Sequence, residues 1–511
     1  MFTFDLLQEK WLPCVMRDNT LRDLSLLEIL TNAPEVNELV GDSPPVTIAL
    51  HRLLLAILHR ALNMPSDPDN WNEMREAKAF DQEKLENYFE KWKHRFDLFD
   101  VDHPFYQSVT ARENVQDGAI IQLYFQGKNN ATLFDHSTIT APKAVSAAEA
   151  ARLLTAFQAF DFGGIKADGS AQTAPLLQSA IALIKGKNLF ETLIFNLHRY
   201  DGTKPFNFRL AQDLPAWERD EETEAVERLP DGYVDLLTWQ SRRIYLQPEQ
   251  NEKSEIVVRN AVIMRGYAMP KTANRHAKET MIAFRAPKDK TGDYFPVGFS
   301  ETRALWRNSL SLFQTVQGET TRPKTLDWLD DLVGEGYLSR ATGLPIEFYG
   351  LAADKGKLLF WQKESFYLPL AYLDSDELLQ KLRNAIQFAE GIGFALKSGI
   401  RGLAEKLETD SANFQAGPMY WSTLELSFQS LLTNLPNDQT AAMSEWCDFV
   451  LSTANESFRQ TTDSLSGAAR EQKAIIEAES EFNKQRNIFL SKNESLYGVY
   501  LPKTKSQGRN Q

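Results

Sequence analysis

The C-terminal part of the chain carries the pattern that constrains the fold most. From Asp376 onward, apolar residues recur at alternating steps of four and three, which is the spacing of one buried helix face. The first run extends over Leu378–Leu396, and three further runs follow it, separated by short segments rich in Gly, Pro, Asn and Ser. Four amphipathic helices with short connections predict an antiparallel four-helix bundle over residues 375–495, followed by a flexible tail at 496–511.

Four glycines fall within or near the first of these predicted helices. Each glycine costs about 1 kcal/mol relative to alanine in a helix interior. Two explanations fit: a neighbouring helix that packs too closely for a side chain, or a helix that ends early. The four residues are Gly391, Gly393, Gly399 and Gly402.

Residues 1–370 mix short β-like runs, apolar helices and turns rich in Pro and Gly. Ser146 and Glu149 have the spacing of a capping box at the start of a helix, which then ends at Asp161–Gly164. Apolar runs between turn residues predict a sheet within 242–299. With 511 residues and 43% hydrophobic content, the chain is long enough for more than one domain. We therefore predict an α+β fold, in which a large mixed N-terminal domain precedes the bundle.

The charge of the chain is unevenly distributed. The formal net charge is −13, which argues against a protein that coats DNA by bulk electrostatics. Lys and Arg nonetheless outnumber acidic residues from Arg259 to Arg307, whereas Trp217–Glu227 is an acidic run. These segments predict a basic patch on an acidic body, although a solvated charged face explains the basic segment equally well.

Neither a membrane segment nor a disulfide framework is expected. The first residues lack the apolar core of a secretory signal, and no stretch approaches the roughly 20 apolar residues of a membrane helix. The two cysteines, Cys14 and Cys447, lie at opposite ends of the chain. We therefore predict a cytoplasmic protein with no membrane association and no zinc ribbon.

Motifs for catalysis are sparse. The histidines lack the spacing of a metal site, and the sequence contains no nucleophile elbow, phosphate-binding loop or dinucleotide fingerprint. Asp135 followed by His136 is the most enzyme-like pair, and a metal-dependent hydrolase or nuclease centred on it is one alternative. The main expectation is a protein that is not an enzyme, with no catalytic residue, no bound metal and no cofactor.

Two segments suit contacts with nucleic acid. Residues 127–138 form a polar stretch around an apolar tip, a composition compatible with RNA contacts, although without further context a plain surface loop is the favoured interpretation. Gly163 and Gly164 follow a helix, and a backbone without side chains could enter a DNA minor groove where a Cβ would clash. Helix-ending glycines are common, so this pair alone is a weak signal.

Several short motifs occur together in a characteristic order. They are Trp11-Leu12-Pro13, Asp102-His103-Pro104-Phe105, Leu133-Phe134-Asp135-His136, Phe162-Gly163-Gly164 and Trp239-Gln240, ahead of the C-terminal helices. In this ordered set, over essentially its whole length, the chain resembles the CasA family, the large subunits of the type I-E CRISPR surveillance complex, Cascade. The resemblance implies a non-catalytic subunit beside the 5′ handle of the crRNA, which checks double-stranded DNA for the PAM, a short motif next to the target.

Site residues follow from the resemblance by position. It implies that a glycine loop reads the PAM from the minor groove with Asp161, Phe162, Gly163 and Gly164. It also implies a lysine finger into the same groove at Lys271, for which Arg275 and Lys278 are neighbouring alternatives. The contact with the crRNA handle and the adjacent subunit falls on Leu133, Phe134 and Asp135.

One family element departs from its usual form. A hairpin in the family carries an amide wedge, usually with Gln, that helps to separate the DNA strands. The matching turn, residues 353–357, has no Gln, so the wedge would depend on Asp354 and Lys355, and an ordinary charged hairpin is the alternative. The sequence also lacks the mid-chain cysteine cluster of some relatives, so zinc binding is not expected.

The resemblance further implies the partners. These are the target DNA, the crRNA, the other Cascade subunits and a separate helicase-nuclease that is recruited when the target is bound. The physical scheme is that of RNA-guided recognition, in which the protein reads a short duplex element and base pairing reads the sequence. A purely architectural subunit that never touches DNA is the second alternative.

Overall fold

The computed structural model describes residues 2–63, 65–113, 118–119, 143–199, 212–270, 275–289, 292–354, 356–465 and 467–501. Helices and strands both occur in the described residues up to residue 370, and the described elements after that are helices. The predicted α+β class is therefore confirmed. No helix in the described ranges is long and apolar enough to span a membrane.

The strands are short except for two hairpins. They are β1 (Leu12–Met16), β2 (Leu21–Leu24), β3 (Val36–Leu39), β4 (Gly118–Ala119), β5 (Val145–Ser146), β6 (Gly164–Lys166), β7 (Gly169–Ala171), β8 (Ala180–Ile184), β9 (Arg242–Gln250), β10 (Ile256–Arg265), β11 (Phe284–Arg285), β12 (Phe295–Pro296), β13 (Thr320–Thr321), β14 (Gly343–Asp354) and β15 (Lys357–Pro369).

The four longest helices of the described residues all follow residue 375. They are α1 (Leu26–Thr31), α2 (Pro44–Ala61), α3 (Pro68–Glu76), α4 (Gln82–Trp92), α5 (Ala147–Phe160), α6 (Leu189–Asn196), α7 (Tyr233–Leu237), α8 (Arg275–Lys278), α9 (Ser309–Phe313), α10 (Lys324–Gly334), α11 (Asp376–Leu407), α12 (Ala416–Asn434), α13 (Gln439–Asp463), α14 (Ala469–Lys492) and α15 (Glu494–Tyr497).

The chain divides into two compact units. The first contains residues 1–305, 311–339 and 344–365, and the second contains 306–310, 340–343 and 366–511. The second unit therefore includes two short segments that precede the predicted bundle in the sequence.

Small antiparallel sheets organise the first unit. β1 lies between β2 and β3, and β10 pairs with β4, β5 and β9. β14 lies between β15 and β8, while β6 and β7 form a separate hairpin. The apolar helix α2 is buried along most of its length, as its run of leucines predicts. At the start of α5, the Ser146 side chain accepts a hydrogen bond from the Glu149 amide at 3.2 Å, as the capping pattern predicts.

Helix α11 is central to the second unit, where it contacts α12, α13 and α14. Polar edges of buried aromatic side chains bond to its backbone: Trp446 donates to the Ala385 carbonyl and Tyr420 to the Ala389 carbonyl, both at 2.8 Å. The four predicted C-terminal helices are therefore present, and their antiparallel order in a bundle stays a prediction.

The continuity of α11 decides between the two explanations for its glycines. The helix runs through all four positions to Leu407, so the early helix end is wrong. Close packing explains three of them. A Cβ at Gly391 would lie 2.1 Å from the Phe489 ring, and one at Gly399 would lie 2.7 Å from the Phe482 Cβ. Gly393 is similarly crowded by Trp421 at 2.8 Å.

Candidate nucleic-acid interface

A buried carboxylate lies where α5 ends and the glycine turn begins. Asp161 is 3% exposed, and its Oδ2 lies 2.6 Å from Arg242 Nε and 2.5 Å from Lys166 Nζ. The Gly163 amide donates to the same oxygen at 3.2 Å. Charges as deeply buried as these are retained only when they are paired. Asp161 therefore fixes the start of the turn from inside the protein.

The two glycines of the turn differ in their surroundings. Both have left-handed backbones, with φ of +76° at Gly163 and +80° at Gly164, a region that side chains with a Cβ rarely adopt. A Cβ at Gly163 would lie 2.8 Å from the Ala171 carbonyl oxygen and 2.9 Å from the Gln172 backbone. At Gly164, no described atom beyond its two chain neighbours lies within 4 Å of the corresponding position. The protein itself requires the first glycine, while the second borders open space.

The β6–β7 hairpin that follows the turn is held at both ends. Gly164 pairs with Ala171 at the open end, which lies beside the Asp161 ion pairs. At the closed end, the Asp168 carboxylate accepts from Arg243 at 2.7 Å and from the Arg265 amide at 2.8 Å. The side chain of Ile165, between these ends, is 83% exposed. The hairpin is therefore anchored at both ends and exposed at its centre.

A cavity lies beside this hairpin. Its volume is about 210 Å³, and its walls include Gln172–Pro175, Trp239, Tyr267–Pro270, Arg275, His276, Asp293 and Tyr294. Gln172 follows β7 directly, and Pro270 immediately precedes Lys271. Lys271 itself lies outside the described residues. The structure thus brings two segments to the same cavity: Gln172, whose backbone packs against Gly163, and the residues that lead to the predicted lysine finger.

The two alternatives to Lys271 are partly withdrawn from solvent. Burial lowers the pKa of Arg275 to about 10, and its Nη2 donates to the Ser179 hydroxyl at 3.2 Å. Burial also lowers the pKa of Lys278. Both side chains are thus less suited to DNA contact than an exposed lysine would be.

The predicted basic patch is reduced by pairing within the protein. Arg259 forms an ion pair with Glu249, and Arg265 lies 3.6 Å from Asp168. Arg307 belongs to the second unit, where its guanidinium makes two hydrogen bonds to Glu390 at 2.8 and 2.9 Å. Part of the positive charge that the sequence predicts for this patch is therefore neutralised by acidic residues of the same chain.

The tip of the β14–β15 hairpin is the matching turn of the predicted wedge. Asp354, at the end of β14, is exposed, while Lys355 lies outside the described residues. Gly356 has a φ of +78°, as a tight turn requires. Beside the tip, Gln178 donates from Nε2 to the Ala353 carbonyl at 2.7 Å. This residue was missed by sequence reasoning because the contact joins positions 175 residues apart.

Several other predictions fall outside the described residues. These are the handle contact at Leu133, Phe134 and Asp135, and the hydrolase pair of Asp135 with His136. Among the residues that the structure does describe, no group of three or more His, Cys, Asp or Glu is arranged to hold a metal ion. Cys14 and Cys447 are both free and buried.

Comparison with known proteins extends over nearly the whole chain. The family model described as CRISPR-associated protein Cse1 matches residues 5–457. CRISPR-associated protein CasA/Cse1 of Thermus thermophilus is 28% identical, with 94% of this chain and 97% of that protein covered. The crystal structure of Thermobifida fusca Cse1 matches with a TM-score of 0.80 and 25% identity, covering 95% of this chain and 98% of that one. The fold also matches a chain of a CRISPR RNA-guided surveillance complex, with a TM-score of 0.75, 19% identity and coverage of 96% and 99%.

Proposed function

The chain belongs to the CRISPR-associated protein Cse1 family, and from this premise we propose that it is a non-catalytic subunit of a CRISPR RNA-guided surveillance complex that reads the PAM in double-stranded DNA. The family match over residues 5–457 and the shared fold with a chain of such a complex support membership of the complex. The other Cascade subunits and the crRNA are the partners that this assignment implies.

The conformation and surroundings of Gly164 are the main support for the proposal that the chain reads DNA. Its left-handed backbone lies on an anchored hairpin, and within the described part of the chain no atom occupies the space that its side chain would take. A backbone amide or carbonyl at such a position can approach base edges in a minor groove, which side chains would block. Phe162 and Gly163 shape the turn, and Asp161 positions it through Lys166 and Arg242.

The remaining site residues complete the proposal. Lys271, which directly follows the cavity residue Pro270 in the sequence, is the lysine finger that enters the same groove. Asp354 and Lys355 at the β14–β15 tip separate the strands beside the PAM, so that the guide can pair. Leu133, Phe134 and Asp135 contact the crRNA handle and the adjacent subunit. A helicase-nuclease recruited to the complex cuts the DNA.

The test is DNA binding by the reconstituted complex at fixed salt, because affinities for DNA depend on ionic strength. A library of target duplexes with randomised flanking positions gives the PAM preference of the wild-type complex. Gly164→Ala is then compared with Gly318→Ala, since Gly318 also has a positive φ (+75°) and no described atom within 4 Å of its missing Cβ. Both variants carry the same backbone strain, and only the first alters the proposed reading surface.

We expect Gly164→Ala to weaken binding to the preferred PAM at least tenfold and to leave binding to PAM-less DNA unchanged. Gly318→Ala should match wild type on both duplexes. Equal binding by the two variants would remove Gly164 from the reading surface. A wild-type complex that binds all library members alike would support the architectural alternative instead.

A further inference from the structure

One segment connects the glycine turn with the tip of the β14–β15 hairpin. It follows β7 and is held against the C-terminal end of α5 by two backbone hydrogen bonds. The Ala174 amide donates to the Asp161 carbonyl at 2.8 Å, and the Leu176 amide donates to the Ala159 carbonyl at 2.9 Å. The segment therefore shares its support with the start of the glycine turn.

Gln178, in the same segment, has an unusual backbone. Its φ is +59°, in the left-handed region, which is unfavourable for a residue with a side chain. Its surroundings hold it there: a Cβ at Gly298 would lie 2.1 Å from the Gln178 carbonyl oxygen, so the two backbones are in close contact. Strained residues of this kind persist only where neighbouring structure determines their conformation, and they are concentrated at functional sites.

The Gln178 side chain contacts the hairpin. Its Nε2 donates to the Ala353 carbonyl at 2.7 Å, one residue before Asp354. Two residues after Gln178, β8 begins and pairs with β14, in the register Ala180 with Gly350. The segment thus contacts the hairpin twice, once through strand pairing and once through a side chain beside the tip.

We propose that Gln178 is a positioning residue that couples the glycine turn to the hairpin tip. The inference is based on the proposed function and adds a connection between its two DNA contacts. A duplex bound at Gly164 has a fixed position relative to the end of α5. The segment from Ala174 to Gln178 connects the end of α5 to Ala353, so the hairpin tip is positioned relative to the same duplex. The hydrogen bond of Gln178 keeps the distance between the hairpin tip and the glycine turn constant. Strand separation therefore begins at a defined distance from the PAM.

Three variants separate this role from general stability. Gln178→Glu is isosteric but places a carboxylate against the Ala353 carbonyl, so the hydrogen bond is lost. Gln178→Gly removes the side chain and at the same time relieves the backbone strain. Gln82→Glu is the matched control, because the Gln82 side chain also donates to a backbone carbonyl, that of Phe80 at 3.0 Å, at the start of α4.

Each variant is assembled into the complex and two quantities are measured on fluorescent duplexes. Binding to a PAM duplex that does not match the guide reports PAM reading alone. The rate of 2-aminopurine fluorescence increase, with the probe in the first base pairs beside the PAM of a matching duplex, reports strand opening. Thermal unfolding of each purified chain reports stability.

We expect Gln178→Glu and Gln178→Gly to slow opening at least fivefold, with PAM binding within twofold of wild type. Gln178→Gly should unfold at or above the wild-type temperature, so its loss of opening does not come from a weaker fold. Gln82→Glu should match wild type in binding and opening.

Unchanged opening in both Gln178 variants would overturn the coupling, and so would an equal loss of binding and opening. These results leave the proposed function intact as long as the wild-type complex prefers a PAM. A wild-type complex without PAM preference would remove the proposed function and this inference together.

Discussion

The glycine turn of the first unit and the long helix α11 of the second both depend on glycine, for different physical reasons. In the turn, Gly163 and Gly164 have φ values of +76° and +80°, so the chain needs the backbone freedom of glycine. In α11 the backbone is helical, and Gly391 and Gly399 are needed because Phe489 and Phe482 occupy the space of a side chain. In the turn, glycine allows the chain to change direction through a left-handed backbone. In the helix, glycine allows a neighbouring helix to pack closely.

Each region also contains one glycine with open space around it, and these two residues differ in what they reveal. Gly164 borders open space and has a left-handed backbone, which residues with a Cβ rarely adopt. Gly402 has no described neighbour within 4 Å and lies in a regular helix, so neither backbone nor packing requires it. Open space around a glycine is therefore not enough to explain why it is there, and its backbone conformation must be considered as well.

The largest expected effect concerns the support of the glycine turn. Asp161→Ala leaves Lys166 and Arg242 buried without their shared partner, which should lower the free energy of unfolding by about 3–5 kcal/mol. Urea denaturation of the full chain measures the change. Asp168→Ala is the control, because its ion pairs are more exposed and should cost less. Equal losses in the two variants would show that the turn does not depend on its buried charges.

Acid should affect the two units differently. All seven histidines lie at or before position 276, so the second unit has none. Burial lowers the pKa of His198 to about 4 and that of His51 to about 3. Below about pH 6.5 the unfolded chain binds protons at these residues and the folded chain does not, so the free energy of unfolding falls as pH decreases.

The expected loss between pH 7 and pH 5 is about 2 kcal/mol for each of these two histidines. Hydrogen exchange at both pH values, followed separately in α2 and α11, measures it. Protection should decrease in α2 and change less in α11. His198→Gln should reduce the pH dependence of unfolding, and an unchanged dependence would contradict the assignment of that histidine.

A smaller effect is expected where α11 meets α14. Gly399→Ala places a Cβ 2.7 Å from the Phe482 Cβ and 3.0 Å from the Ala478 carbonyl oxygen, so the two helices must separate slightly. Overpacking of this kind costs about 1–3 kcal/mol, and the better helix propensity of alanine returns about 1 kcal/mol of it. Thermal unfolding should show a net loss of about 1 kcal/mol. A stabilised variant would mean that this glycine is not needed for packing.

The smallest effect has the opposite sign. Gly402→Ala should raise the free energy of unfolding by up to about 1 kcal/mol, because alanine favours the helix and meets no described neighbour. The same unfolding experiment compares it directly with Gly399→Ala. If both substitutions destabilise the chain equally, packing does not distinguish the two positions.

Local patterns account for much of what could be predicted. The capping pair Ser146 and Glu149, the helix end before Asp161 and the four C-terminal helices all follow from neighbours a few residues apart. The family was also recognisable, since its motifs are short and keep their order. The glycine turn was therefore predictable as a position, although its DNA contacts stay a proposal.

The surroundings of the site depend on contacts between distant parts of the chain. Asp161 is one of the predicted DNA-contacting residues, and its carboxylate is held inside the protein by Arg242, 81 residues away. Gln178 carried no signal at all, because its partner Ala353 is brought close only by the pairing of β8 with β14.

The sequence by itself determined the helices, the turn glycines and the family, because helix periodicity, backbone freedom and short motifs are properties of neighbouring residues. Only the tertiary structure decided which of two adjacent glycines faces open space, which charges are neutralised inside the protein and which glutamine lies beside the hairpin tip. These features depend on which distant segments share a surface, since burial and hydrogen bonding act through space rather than along the chain.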